Sequence, residues 1–140
     1  MTLRHWAVAI GHMERAIIAT TLALLGGCSE TCSNTAVTTV NAPDGKHQVE
    51  LFQRDCGATT GFSTQVSISE PGDEGAARGN AFVADDNHGA AVAAAWGGPW
   101  VNVKWTSPKA LLVQFDAKSR VFKQVAEVKG VRVTYEPVPH

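Results

Sequence analysis

No stretch of this 140-residue chain stays apolar for the roughly 20 residues that a membrane-spanning helix needs. Cysteine is scarce, three in all, and none stands in the C-x-x-C spacing that builds a zinc site. Basic residues never cluster into a run or stripe, which argues against a nucleic-acid partner. A G-x-S-x-G nucleophile elbow is missing, and so is the G-x-x-x-x-G-K-[ST] phosphate cradle. With those signatures gone, no metal or cofactor is expected.

What is present begins with a leader. AIIATTLALLGG, Ala16 to Gly27, is apolar and small, and it follows the basic residues Arg4 and Arg15. A positive start, about 12 apolar residues and small residues before a cut define a secretory signal. Met13-Glu14-Arg15 offers a second, more compact start for it. The leader ends in Leu25-Gly26-Gly27-Cys28, which resembles a bacterial lipobox. That resemblance implies a diacylglyceryl group on Cys28, cleavage after Gly27, and residues 28–35 as a lipidated tether. Ser29 in the next position, where aspartate would signal retention, implies sorting to the outer membrane, facing the periplasm.

If lipid takes Cys28, then Cys32 and Cys56 remain as one pair in an oxidising compartment. A bridge closing that loop contributes about 3 kcal/mol by the chain-entropy argument. From Cys28 onward about 113 residues remain, the size of one domain. Of the 12 basic and 13 acidic side chains, Arg4, Arg15 and Glu14 go with the leader. The mature chain is therefore close to neutral and slightly acidic.

The mature chain reads as β-structure. Val49 and Leu51 share a face, and Thr64 to Ile68 and Val101 to Trp105 alternate apolar with polar. So do Leu111, Val113 and Phe115, and then Val131, Val133 and Tyr135. Side chains alternate faces along a strand, so each segment buries one face and wets the other. Ala42-Pro43-Asp44-Gly45 predicts a turn joining strands of about Thr35–Val40 and His47–Arg54 into a hairpin. Turns are also expected at Thr106–Lys109, Ala117–Arg120 and Lys129-Gly130, with Val121–Val128 as one strand. Ala90–Ala95 is the one stretch that could form a short helical turn, with a buried small-residue strand or loop equally open. The expectation for residues 36–140 is a mainly β domain, an antiparallel sandwich or partly open barrel of six or seven strands.

Three stretches could carry chemistry. In RDCGATTGFS, a nucleophile would be Thr60 or Ser63 with Asp55 orienting a base; a ligand surface would use Thr59, Thr60 and Ser63. The competing reading is a turn stapled through Cys56, its hydroxyls capping amides. In Asp85-Asp86-Asn87-His88-Gly89, a carboxylate beside His88 could form an acid–base pair, with Asp86 and His88 the leading candidates. The spacing only faintly echoes a calcium loop, whose closing glutamate is missing, and an Asx-rich turn competes. Trp96 and Trp100 flank Gly97-Gly98-Pro99 and could stack on sugar rings, or simply pack, as Trp105 does by its alternation with Val101 and Val103.

Taken together, RDCGATTGFSTQVSI, ADDNHGAA, GGPWVNVKW, SPKALLVQFD and VFKQ resemble a family of short, uncharacterised bacterial exported proteins, from about Asn41 to Glu136. The resemblance implies one β-rich domain and a bacterial origin, and brings no activity with it. The expected role is a lipid-anchored envelope protein, binding or structural, whose partner is an envelope protein or a glycan. One alternative is a small envelope hydrolase using Asp55, Asp86 and His88. Another is an inhibitor of an envelope-attacking enzyme such as lysozyme, presenting Glu70–Asn80 as a protruding loop.

The leader and cysteine readings meet in one measurement. Protein extracted from membranes should have the intact mass of a chain that starts at acylated Cys28, and should gain two hydrogens on reduction. An unlipidated chain with free thiols would refute both.

Overall fold

Alternating apolar residues can bury one face of a strand only if a second layer covers it. The computed structural model describes residues 31–140, and in it two sheets cover one another. The expected leader 1–27, the alternative start at Met13 and the expected acylation site Cys28 lie outside the described residues. Nine strands follow in order: β1 (Ser33–Asn41), β2 (Gln48–Asp55), β3 (Ser63–Ser69), β4 (Phe82–Asp85), β5 (Val101–Ser107), β6 (Ala110–Asp116), β7 (Arg120–Gln124), β8 (Glu127–Val128) and β9 (Val131–Val138). One sheet has the order β1-β2-β3-β4-β7 and is antiparallel throughout; the other has the order β5-β6-β9-β8. The result is an open β-sandwich rather than a closed barrel.

Several details differ from the sequence pattern, each for a physical reason. Strand β1 starts at Ser33, so the last residues of the expected tether are already paired. Val121–Val128 is not one strand. Arg120–Gln124 belongs to the first sheet and Glu127–Val128 to the second, so the chain changes layers between them. After that crossing and the Lys129-Gly130 turn, β9 runs parallel to β6, the one parallel pair among the described residues. Lys129 and Gly130 both take positive φ, 51° and 77°, as a two-residue hairpin of the twist-matched type requires. Ala90–Ala95 forms no helix. Ala93 bridges Pro99, and the Ala94 N–H bonds to the Gly98 carbonyl at 2.8 Å, closing a small loop instead.

The turn at Pro43 behaves as predicted. Gly45 has φ +69°, and its N–H donates to the Ala42 carbonyl at 2.8 Å. Cys32 and Cys56 form a disulfide with Cα atoms 4.0 Å apart, joining the start of β1 to the residue after β2.

Val49, Leu51, Val66, Ile68, Phe82 and Ala84 meet Leu111, Val113, Phe115, Val131 and Val133 in one apolar slab. At its centre, Phe82 lies with its ring 5.2 Å from Phe115 and 5.9 Å from Tyr135. The Tyr135 hydroxyl accepts from the Val125 N–H at 3.0 Å and lies 2.8 Å from the carbonyl oxygens of Ala81 and Val125, pinning the layer crossing. Burial pushes its pKa up. Trp105 packs against the edge of the slab and donates its indole N–H to the Val40 carbonyl at 3.0 Å.

The connection from β3 to β4, Glu70–Asn80, does not protrude as a free loop. It folds back over the outer face of the first sheet. Gly79 N–H donates to Gln65 Oε1 at 2.7 Å, Ser67 Oγ donates to the Arg78 carbonyl at 3.1 Å, and the Asn80 side chain pairs with both backbone groups of Ile68. A Cβ on Gly79 would lie 2.5 Å from the Phe82 carbonyl oxygen, so this close approach needs glycine. Among the described residues no helix is long and apolar enough to cross a membrane.

Because Phe82 contacts both sheets at zero exposure, Phe82→Ala should lower stability by about 3–5 kcal/mol. A urea titration of the oxidised protein measures it. A midpoint within error of the parent would contradict this packing.

Candidate functional site

Cross-strand partners point to the same side of a sheet, and one transverse row at the Cys56 end of the first sheet is entirely polar on its outer side. Asn34 pairs with Arg54, Arg54 with Ser63, Ser63 with Asp85, and Asp85 with Arg120. This row floors a groove of about 730 Å³. The Cys56–Gly61 turn forms one wall, the Asp86–His88 turn a second, and Phe122 with Lys123 of β7 a third.

Each wall has a local cause. Asp55 accepts the Gly57 N–H at 2.9 Å, and Thr60 donates its hydroxyl to the Gly57 carbonyl at 3.3 Å, so the turn after the disulfide is closed by its own side chains. On the second wall, Asp85 accepts the Asn87 N–H at 2.9 Å, and the Asn87 amide reaches the Lys118 carbonyl at 3.2 Å. Asn87 and His88 take left-handed φ of 52° and 57°, a conformation in which Asn and His are over-represented. That bend sets the His88 imidazole beside the groove, with Nε2 3.4 Å from Arg120 Nη1. The Asp86 carbonyl accepts the Ala91 N–H at 3.0 Å, and Asp86 Oδ1 lies near Gly61 across the gap.

The charges are unevenly balanced. Arg120 forms a two-pronged ion pair with Asp85, its Nε 3.2 Å from each carboxylate oxygen and its Nη2 also on Oδ2. Burial opposes the Asp85 charge, but the Arg120 hydrogen bonds, the Asn87 amide and nearby positive charge outweigh it and hold the carboxyl below its ordinary pKa. Arg54 donates to Asn34 Oδ1 at 2.8 Å and to the Ala77 carbonyl, and Lys123 to the Gly79 carbonyl at 2.8 Å. Those acceptors are uncharged, so they hold the two cations in place without neutralising them. Arg78 also lines the groove.

Of the residues singled out in the sequence, Thr59, Thr60, Ser63, Asp86 and His88 all line this one groove. Asp55 does not. It follows Arg54 in β2, so its side chain leaves the opposite face of the sheet, where it caps Gly57. Ser63 Oγ accepts from Gln65 Nε2 at 2.9 Å and lies 3.4 Å from the Arg54 carbonyl oxygen, with neither a histidine nor a carboxylate as partner. Trp96 and Trp100 sit elsewhere. Trp96 packs on the core and donates its indole N–H to Thr64 Oγ1 at 2.9 Å; Trp100 meets the His140 ring edge-on at 4.8 Å. No group of three or more His, Cys, Asp or Glu side chains suited to a metal occurs among the described residues.

The sequence pattern missed Arg120, Phe122 and Lys123, because they lie far along the chain from the other walls. It also missed Asp116, which is fully buried at the end of β6. Asp116 accepts the Lys118 N–H at 2.8 Å through Oδ1 and the Val92 N–H at 3.0 Å through Oδ2. It thereby anchors the segment that carries Asp86 and His88. Burial again opposes its charge, yet the two amides together with His140 and Lys118 keep its pKa depressed.

A carboxyl with a depressed folded-state pKa contributes stability that is complete above the unfolded value, about 3.9, and is lost as pH falls through the folded value. Urea midpoints should therefore hold steady from neutral pH to about 4 and decline below it. Asp116→Asn, which can accept only through its one remaining oxygen, should be less stable at neutral pH and show a flatter acid decline. An unchanged acid limb in that variant would remove Asp116 from this role.

Compared with known proteins, the chain matches no family model, no characterised protein and no solved structure.

Proposed function

We propose that this protein is a binding module of the bacterial cell envelope, tethered by lipid on Cys28, with the outer-face groove of its first sheet as the recognition surface. One observation carries the reading: three separate chain segments converge to line a single groove with hydroxyls, an imidazole and cations around an exposed phenyl ring. Phe122 is 60% exposed, with the Arg120 guanidinium 5.1 Å from its ring centre. A large apolar ring held in water beside charged groups contributes little to folding and suits contact with a partner. The hydroxyls of Thr59 and Thr60 add polar groups along the opposite wall.

The two rival readings draw less support. A hydrolase built on Asp55, Asp86 and His88 would need Asp55 in the groove with the other two. An inhibitor would need a free protruding loop, and Glu70–Asn80 is stitched to the sheet by its own backbone.

A photoreactive phenylalanine analogue at position 122, tested in intact envelopes, examines the proposal directly. It should yield a discrete adduct, whereas the same group at Lys109, in the exposed β5–β6 turn at the other end of its sheet, should not. Equal labelling at the two positions, or none at 122, would sink it.

A further inference from the structure

We infer that the groove docks on the phosphate headgroups of the anionic membrane to which the chain is tethered. This rests on the lipid-anchored reading above and names the partner of that same groove.

The first argument is reach. Cys28 stands four residues before Cys32, and four residues fully extended span at most about 14 Å. Cys32 is covalently joined to Cys56, and Cys56 lines the groove. The anchor therefore holds the rim of this groove within a short distance of the bilayer, whatever path the intervening residues take. Register strengthens the point. Ser33, where β1 begins, pairs with Asp55, and the next positions continue through Arg54, Ser63 and Asp85 to Arg120. The groove thus crosses the sheet at the end where the tether enters.

Charge is the second argument. Arg54, Arg120 and Lys123 face two carboxylates in the lining, Asp85 and Asp86, and Asp85 is taken up by Arg120. Arg54 and Lys123 donate to neutral carbonyls, and among the described residues neither is paired with a carboxylate. A slightly acidic chain that gathers excess positive charge at its tethered end is complementary to an anionic surface. Arginine suits phosphate oxygens in particular, because its planar fork can donate two hydrogen bonds at once. Phe122, exposed beside these cations, is placed to enter the headgroup region, where aromatic rings partition favourably.

The test uses the full lipidated protein on vesicles of phosphatidylcholine alone and of phosphatidylcholine with phosphatidylglycerol. Flotation on the neutral vesicles reports the anchor, and amide hydrogen exchange reports the groove. Exchange in residues 56–62 and 118–124 should slow on the anionic vesicles only, while residues 106–109 stay unchanged. Lys123→Gln should shift the docked population by roughly fivefold, the usual effect of one basic residue at an anionic surface. Lys109→Gln, which removes the same charge from the β5–β6 turn, should not shift it. High salt should release the groove while the chain still floats.

Protection that is absent on anionic vesicles, or equal on both kinds, overturns the inference. A chain that fails to float on neutral vesicles overturns the anchor instead. If that chain still shows groove protection on anionic vesicles, headgroup recognition stands without the tether.

Discussion

The contact of Phe82 with Phe115 and Tyr135 is the constraint on which the rest of this structure depends. Phe82 belongs to the shortest strand of the first sheet, and its two ring partners come from adjacent strands of the second. Dispersion and apolar burial at this one place hold the layers in register. The Tyr135 hydroxyl then ties down the crossing at Val125, where the chain leaves one layer for the other. Because that crossing is fixed, β7 arrives at the edge beside β4, and Arg120 arrives opposite Asp85.

With the inner face committed to the core, the outer face of the first sheet has to satisfy its polar groups by other means. Arg78, Gly79 and Asn80 do this over part of that face, using backbone carbonyls and one asparagine side chain. The Ala77 and Gly79 carbonyls hold Arg54 and Lys123 without cancelling their charge. The groove is what this cover leaves open, at the end of the sheet marked by the disulfide. Hydroxyls bonded to carbonyls and guanidinium groups held by neutral or paired oxygens line it.

The alternation in β2, β5, β6 and β9 was legible because burying one face of a strand demands period two, and that demand is written in adjacent residues; β3 alternates too, but Arg78–Asn80 folds over the face expected to be wet and buries Gln65 and Ser67. The Pro43–Gly45 turn and the Lys129-Gly130 hairpin were legible for a similar local reason: each depends on what one or two residues allow the backbone to do. The disulfide Cys32–Cys56 followed from counting the thiols that remain if Cys28 is set aside. Half of the groove was legible too, since Thr59, Thr60, Ser63, Asp86 and His88 stand in short polar stretches unlike the strands around them. The alanine run left helix, strand and loop open, because helix propensity is a weak preference. Here a strand-like bridge between Ala93 and Pro99 and the indole of Trp96 on Thr64 override it.

From sequence alone came most of the strands, the turns, the cysteine pair and the polar stretches of one wall and the next, all properties of near neighbours along the chain. Tertiary structure alone decided that β9 runs parallel to β6 and that Val121–Val128 is divided between two sheets. It also decided that Asp55 turns away while Arg120, Phe122 and Lys123 complete the groove. These outcomes depend on which strand edges meet after the layers close. Pairing between distant segments is chosen by the packing of the whole core around Phe82, and no local pattern carries that choice.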